Sequence, residues 1–205
     1  MSSKRWLHEH HNDVYVKRSR EEGYASRAAY KLLELNDKDH FLKPGMTVVD
    51  LGSTPGGWSQ VASKLIGHKG RVFALDLLPM DPIPGVTFLQ GDFTESQVLD
   101  KLMAMIDGDA VDLVISDMAP NLSGNKGADQ PRSVYLVELA LDCAYNLLKK
   151  NGSFLAKIFQ GEGVDVLIAD MRKRFKTVRI RKPKASRARS SEIYIFATGF
   201  MGYND

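Results

Sequence analysis

Gly52, Gly56 and Gly57 mark the turn between an apolar run and a helix-compatible segment, within Thr47-Val48-Val49-Asp50-Leu51-Gly52-Ser53-Thr54-Pro55-Gly56-Gly57-Trp58. A β-branched strand, a tight Gly/Pro loop and a helix from Trp58 to Ile66 turn the free N–H groups of a helix N-terminus toward a ligand. Two common ligands are poorly served. A dinucleotide fingerprint, G-x-G-x-x-G, needs a second glycine where Thr54 stands. A P-loop, G-x-x-x-x-G-K-[ST], needs a lysine where Trp58 stands. With no lysine to neutralise a polyphosphate, the loop suits a nucleoside that is uncharged or carries a compact zwitterion.

Three acids and one lysine extend this reading. Asp76 closes the run from Arg71 to Leu75, about 20 positions past the loop, where a carboxylate can accept hydrogen bonds from both hydroxyls of a ribose. Asp92 follows Val86 to Leu89 and can accept from an adenine amino group, and Asp117 closes Val111 to Ser116. Lys157 sits in an apolar run (Phe154, Leu155, Ala156, Ile158, Phe159), an unusual place that favours a functional lysine over one on an exposed strand edge. Lys31, isolated in a helical stretch, reads on local grounds as a solvated side chain.

The elements that must position these residues follow from periodicity. Met1 to about Val16 reads as a poorly ordered arm. Its His8-Glu9-His10-His11 cluster lacks the H-E-x-x-H spacing of a metal site. Val16 to Arg27 is charged (Lys17, Arg18, Arg20, Arg27) and can add phosphate contacts. A helix from Tyr24 to Asn36 takes Ser26 as its N-cap. Further helices are expected from Thr94 to Ile106, Ser133 to Lys149 and Val164 to Phe175, with a mobile loop from Asn121 to Pro131 and a helix stop at Asn151-Gly152. A strand runs from Ser153 to Ile158. Alternating strands and helices predict a mainly parallel sheet whose ligands bind at the carboxyl ends of the strands, where Asp76, Asp92, Asp117 and Lys157 fall. Strands from Thr177 to Arg181 and Glu192 to Thr198 are about ten residues apart, too close for a helical crossover, and must be antiparallel. Glu192 and the loop from Lys182 to Arg189 then meet the same cleft.

Charge is distributed unevenly. The 205 residues carry a net charge of +3, yet residues 171–191 hold ten Lys and Arg and no acid, leaving 18 basic against 25 acidic residues elsewhere. A solvated face usually mixes signs, so this block points to a nucleic acid or another polyanion. No apolar run approaches membrane-spanning length and no signal peptide is evident. Cys143, the single cysteine, lies on an apolar helical stretch and reads as a packing residue in a cytoplasmic protein.

Taken together, Asp50-Leu51-Gly52 with Pro55-Gly56-Gly57-Trp58-Ser59-Gln60, Asp76-Leu77-Leu78-Pro79-Met80, Ser116-Asp117-Met118-Ala119-Pro120-Asn121, Lys157-Ile158-Phe159-Gln160-Gly161 and Ser186-Arg187-Ala188-Arg189-Ser190 resemble the FtsJ/RrmJ family of ribose 2′-O-methyltransferases. The resemblance runs from about Arg5 to Gly199 and is nearest to the bacterial large-subunit rRNA enzymes. Ser53 departs from the alanine expected in the loop, a small residue still compatible with a tight turn. The resemblance implies a Rossmann-like class I fold, α/β, with a mainly parallel seven-stranded sheet and a C-terminal antiparallel strand. Residues 1–43 would form a basic arm and the helix carrying Lys31, and residues 44–205 the methyltransferase domain, in one globular unit.

The cofactor so implied is S-adenosyl-L-methionine, released as S-adenosyl-L-homocysteine, with binding roles for Gly56, Trp58, Asp76, Asp92 and Asp117. A catalytic Lys-Asp-Lys-Glu tetrad maps onto Lys31, Asp117, Lys157 and Glu192, and it alone gives Lys31 a role. The partner implied is large-subunit rRNA within the 50S particle, at an A-loop uridine, with the protein monomeric, off the membrane and in the cytoplasm. A ribose hydroxyl must lose its proton as it attacks, and Lys157 is the candidate base. A free lysine titrates near ~10.4, so neutrality at pH 7 requires roughly 4–5 kcal/mol against the charged form. No metal is required, because the leaving group departs neutral. The same chemistry on tRNA or an mRNA cap, and a non-catalytic RNA-binding assembly factor, are the competing readings. The complete tetrad weighs against the last.

Overall fold

The computed structural model describes residues 13–202 apart from 109 and 122, so the histidine cluster of the N-terminal arm lies outside the described residues. The chain runs α1 (Val14–Glu21), α2 (Ala29–Asp39), β1 (Thr47–Leu51), α3 (Gly57–Ile66), β2 (Arg71–Asp76), β3 (Val86–Gln90), α4 (Ser96–Ile106), β4 (Val111–Ser116), α5 (Lys126–Leu147), β5 (Leu148–Phe159), α6 (Val164–Met171), β6 (Phe175–Arg181) and β7 (Glu192–Phe200). The strands form one seven-stranded sheet in the order β3-β2-β1-β4-β5-β7-β6. β7 is antiparallel to both β5 and β6, and the other pairings are parallel.

Both faces of the sheet are covered, which is why its central strands read as continuous apolar runs. Side chains alternate between faces along each strand. Val49, Phe154 and Ile158 share a buried cluster with Leu102 of α4, Leu141 of α5 and Leu167 of α6. Val48, Ile115 and Leu155 share the opposite cluster with Leu32 of α2 and Val61 of α3. Lys157 continues the Leu155 alternation and so faces the α2 layer.

Several element boundaries differ from those expected. The supposed arm becomes helical at Val14: Asp13 accepts from the Tyr15 N–H at 3.0 Å as its cap, and Val16 is buried. Ser26 does not cap α2, which starts at Ala29 with no side-chain cap. Its hydroxyl packs over Gly57, where an added Cβ would lie 2.6 Å away. The polar stretch from Asn121 to Pro131 is partly helical, because Asn125 caps α5 by accepting from the Gly127 N–H at 3.0 Å, and Pro131 lies inside that helix. α5 ends at Leu147, and Leu148 already pairs with Val111. The register then shifts past Asn151, at φ 67°, before Ser153 pairs with Leu113. α6 stops at Met171, leaving Phe175 to β6. Among the described residues no helix is long and apolar enough to cross a membrane.

Candidate active site

A cavity of about 690 Å³ opens at the carboxyl ends of β1, β2 and β4. Asp76, Asp92 and Asp117 line it with Gly52, Thr54, Leu77, Leu78, Phe93 and Met118, and among the described residues the lining contains no lysine or arginine. Local backbone geometry fixes two of the acids. Asp76 accepts from the N–H groups of Thr54 and Leu78, each at 2.8 Å. Asp92 accepts from the Thr94 N–H at 2.9 Å and its hydroxyl at 2.7 Å. Gly52 turns the chain at φ +73°, and a Cβ there would fall 2.0 Å from Cγ of Met118, so the loop can lie against β4 only as glycine.

At one end of this cavity Asp117 joins a compact ionic network. Lys157 Nζ donates to the Asp117 carbonyl at 2.5 Å and lies 3.2 Å from its Oδ1. Lys31 Nζ is 3.0 Å from Glu192 Oε1 and 3.7 Å from Asp117 Oδ2. Tyr194 donates its hydroxyl to Asp117 Oδ1 at 2.7 Å. Four separate elements supply these groups, and sheet register explains the convergence. Lys157 pairs directly with Tyr194 across β5 and β7, which places both on one face, and Glu192 lies two residues from Tyr194 on that same face. α2 crosses this face and adds Lys31.

The charges balance at two positive and two negative. Burial would raise the Asp117 carboxyl, but the ammonium groups of Lys157 and Lys31 hold it below the usual carboxylate range. Glu192 is lowered too: burial opposes ionisation, and the charges of Lys31 and Lys157 together with hydrogen bonding to the carboxylate outweigh it. Burial, with Asp117 beside it, drives Tyr194 well above the ordinary phenol value. Asp50, in the middle of β1, behaves in the opposite way. Its partner is the Ser59 hydroxyl at 2.6 Å, and burial pushes its carboxyl up to about 7.

The structure brings Lys31, Asp117, Lys157 and Glu192 together and sets Asp76 and Asp92 along the adjoining cavity. It places Trp58 differently. The indole is buried at 3% exposure, donates Nε1–H to the Ala28 carbonyl at 2.9 Å and packs on Tyr194 at 5.8 Å between ring centres. Its side chain buttresses the start of α2. Gly56, at φ +106°, donates its N–H to the Ser53 carbonyl and leads into α3. Tyr194 went unnoticed in the sequence because an aromatic residue within Ile193-Tyr194-Ile195-Phe196 reads as core. Its pairing opposite Lys157 is the signal that identifies it.

The basic block is also reapportioned. Arg181 grips Asp39 with two bonds of 2.7 Å, and Arg187 lies 3.7 Å from Asp13. Arg27, expected to meet phosphate, instead binds Asp13 at 2.6 Å and the Ala185 carbonyl. Lys182, Lys184 and Arg189 remain exposed on the β6–β7 loop, beside Glu192.

Comparison with known proteins agrees with this geometry. Residues 24–200 match the family described as FtsJ-like methyltransferase. The chain belongs to that family. It is 61% identical over 201 residues to the ribosomal RNA large subunit methyltransferase E of Hahella chejuensis, covering 98% of each chain. The corresponding protein of Marinobacter nauticus is 62% identical over 199 residues, covering 97% of this chain and 96% of that one. A solved structure from Plasmodium falciparum, described as a ribosomal RNA methyltransferase, superposes with a TM-score of 0.78 at 33% identity, covering 88% of this chain and all (100%) of that one. An S-adenosylmethionine-dependent O-methyltransferase of Thermotoga maritima shares the fold alone, with a TM-score of 0.56 at 17% identity, covering 87% of this chain and 66% of that one. The α/β architecture of this FtsJ-like protein is therefore the Rossmann-like methyltransferase fold.

Proposed function

We propose that this methyltransferase modifies the ribose 2′-hydroxyl of a uridine in the A-loop of 23S rRNA in the 50S subunit. The donor is S-adenosyl-L-methionine, and Lys157 is the general base. The observation that carries the reading is the Lys31–Asp117–Lys157–Glu192 network at the edge of a cavity lined by carboxylates and, among the described residues, by no cationic side chain. The names of the relatives support large-subunit rRNA as substrate. The A-loop uridine rests on the family resemblance. A monomer acting in the cytoplasm completes the proposal.

The cavity fits the donor. Asp76 and Asp92 are pre-oriented acceptors for a ribose diol and an adenine amino group, Asp117 is a counter-charge for an α-ammonium group, and Leu77, Leu78 and Phe93 give apolar cover. Gly56 and Trp58 contribute through the backbone of the loop. When bound, the cofactor supplies a sulfonium-activated methyl group and departs as neutral S-adenosyl-L-homocysteine.

A neutral lysine amine has two N–H donors and one lone pair. Lys157, an ammonium in its ion pair with Asp117, must first give up one proton to solvent; the neutral amine then keeps two N–H donors for the Asp117 carbonyl and Oδ1 and turns its lone pair to the substrate hydroxyl. As the new oxygen–carbon bond forms, the 2′-hydroxyl proton passes to Lys157 Nζ. Asp117 then balances the ammonium so created, while Lys31, paired with Glu192, holds the ribose. Positioning is the main contribution of the fold, with reacting atoms held about 3–3.5 Å apart. The exposed β6–β7 loop seats RNA phosphates beside this corner. Mass-spectrometric mapping of rRNA ribose methylation, with and without the protein, tests the reading. A single methyl group that appears only with the protein supports it; no transfer of label from the donor to large-subunit particles overturns it.

A further inference from the structure

Arg27, two residues before α2, and Lys31 and Glu34 within it follow one another at spacings of four and three residues, and the outer two hold the same residue of the β6–β7 loop. Arg27 Nη2 donates to the Ala185 carbonyl at 2.5 Å, and the Ala185 N–H donates to Glu34 Oε2 at 3.0 Å. Ala185 is completely buried (0%). A second atom of each of these two side chains is anchored on α1 and its cap. Tyr15 donates its hydroxyl to Glu34 Oε1 at 2.9 Å, and Arg27 Nη1 lies 2.6 Å from Asp13 Oδ2. Lys31 lies between the two jaws and reaches Glu192, where the same loop enters β7.

We propose that Arg27 and Glu34 are positioning residues: their clamp on Ala185 registers α2 against the β6–β7 loop and so sets Lys31 against Glu192. The clamp makes one rigid piece of the loop that meets RNA and the helix that supplies a tetrad lysine. A phosphate backbone seated on that loop is thereby in register with Lys31. This inference rests on the catalytic reading of the tetrad given above.

A double-mutant cycle on the full chain, with large-subunit particles lacking the methyl group as substrate, tests it. Glu34→Ala is expected to lower kcat about ten- to hundredfold, the scale of a small misplacement of a reacting group. The Kd for S-adenosyl-L-homocysteine, measured by calorimetry, should stay within about twofold, because the clamp lies outside the cofactor cavity. In a Lys31→Ala background, Glu34→Ala should cause no further loss of kcat, since the clamp acts through Lys31. Glu34→Gln, which keeps one acceptor, should give an intermediate rate and carries the same cycle if Glu34→Ala does not fold. Wild-type turnover by Glu34→Ala, or a loss that multiplies with that of Lys31→Ala, would overturn the clamp while leaving the tetrad standing. Full activity of Lys31→Ala would overturn the tetrad reading itself, and the clamp with it.

Discussion

The ionic corner and the basic block use charge in opposite ways. Lys31, Asp117, Lys157 and Glu192 are scattered along the chain, yet the fold brings them within 4 Å contacts of one another and buries them as a balanced set. The ten basic residues of 171–191 are contiguous in sequence, yet the fold disperses them. Some become fasteners, as Arg181 does on Asp39, while others stay on the exposed loop beside the site. Proximity in sequence is therefore a poor guide to joint action. What matters is whether a side chain's partner belongs to the protein or comes from outside.

Four variants can break or sharpen this contrast. Lys157→Ala should have the largest effect, lowering kcat by about 10²–10⁴-fold, the usual contribution of a general base, with the affinity for S-adenosyl-L-homocysteine little changed. Single-turnover methyl transfer at the wild-type rate would remove Lys157 from the base role. Next comes Asp50, a buried carboxylate without the two ammonium groups that serve Asp117. Its pKa rises from an ordinary 3.8 to about 7, so between these values the folded state holds a proton that the unfolded state has released. Its contribution is fully present below about pH 4 and is lost as pH rises to about 7, a fall of about 4 kcal/mol at 1.4 kcal/mol per unit. Denaturant unfolding of Asp50→Asn across this window should show that slope removed; an unchanged slope would place its origin elsewhere. Asp117 and Glu192 have the opposite sign: lowered in the fold, they withdraw stability only as pH falls below about 4.

Arg181→Gln should cost about 1.5–3 kcal/mol of stability, because it removes two charge-assisted hydrogen bonds from the Asp39 carboxylate, whose side chain is 5% exposed, and leaves it the more distant Arg179 guanidinium at 3.7 Å. The salt dependence of RNA binding should be unaffected. Joint replacement of Lys182 and Lys184, both exposed on the β6–β7 loop, by Gln is the smallest effect and the converse. Thermal stability should barely move, while the slope of log K against log salt should fall by about 1.5 for two lost phosphate contacts. If Arg181→Gln altered the salt slope, or the loop pair left it unchanged, the division between fasteners and RNA contacts would fail.

Much of the sheet was legible because its signals are local. Thr47–Leu51 and Val111–Ser116 are apolar runs bounded by turn chemistry, and both match the strands found. The antiparallel placement of Glu192 followed from loop length alone. Local signals failed where tertiary contacts decide. Asn125 starts α5 before Pro131, a residue that ordinarily marks a helix boundary. Lys31 looked solvated because its partners, Asp117 and Glu192, are far away in sequence, and only a family pattern recovered it. Trp58 was assigned to the cofactor loop by position, although its indole serves α2. Tyr194 and the clamp on Ala185 depend on β-register and loop packing, for which a linear pattern of residue types has no code.

The place of β7 in the sheet has a consequence for synthesis. The final strand inserts between β5 and β6, so until residues 192–200 have left the ribosome β5 presents an open edge and β6 has no strand to pair with. Glu192 and Tyr194 arrive with that strand. A nascent chain can build the carboxylate-lined cavity from β1 through α5, but it completes the ionic corner only after β7 has been made. The order in which the chain is made thus sets the order in which the cavity and the corner form.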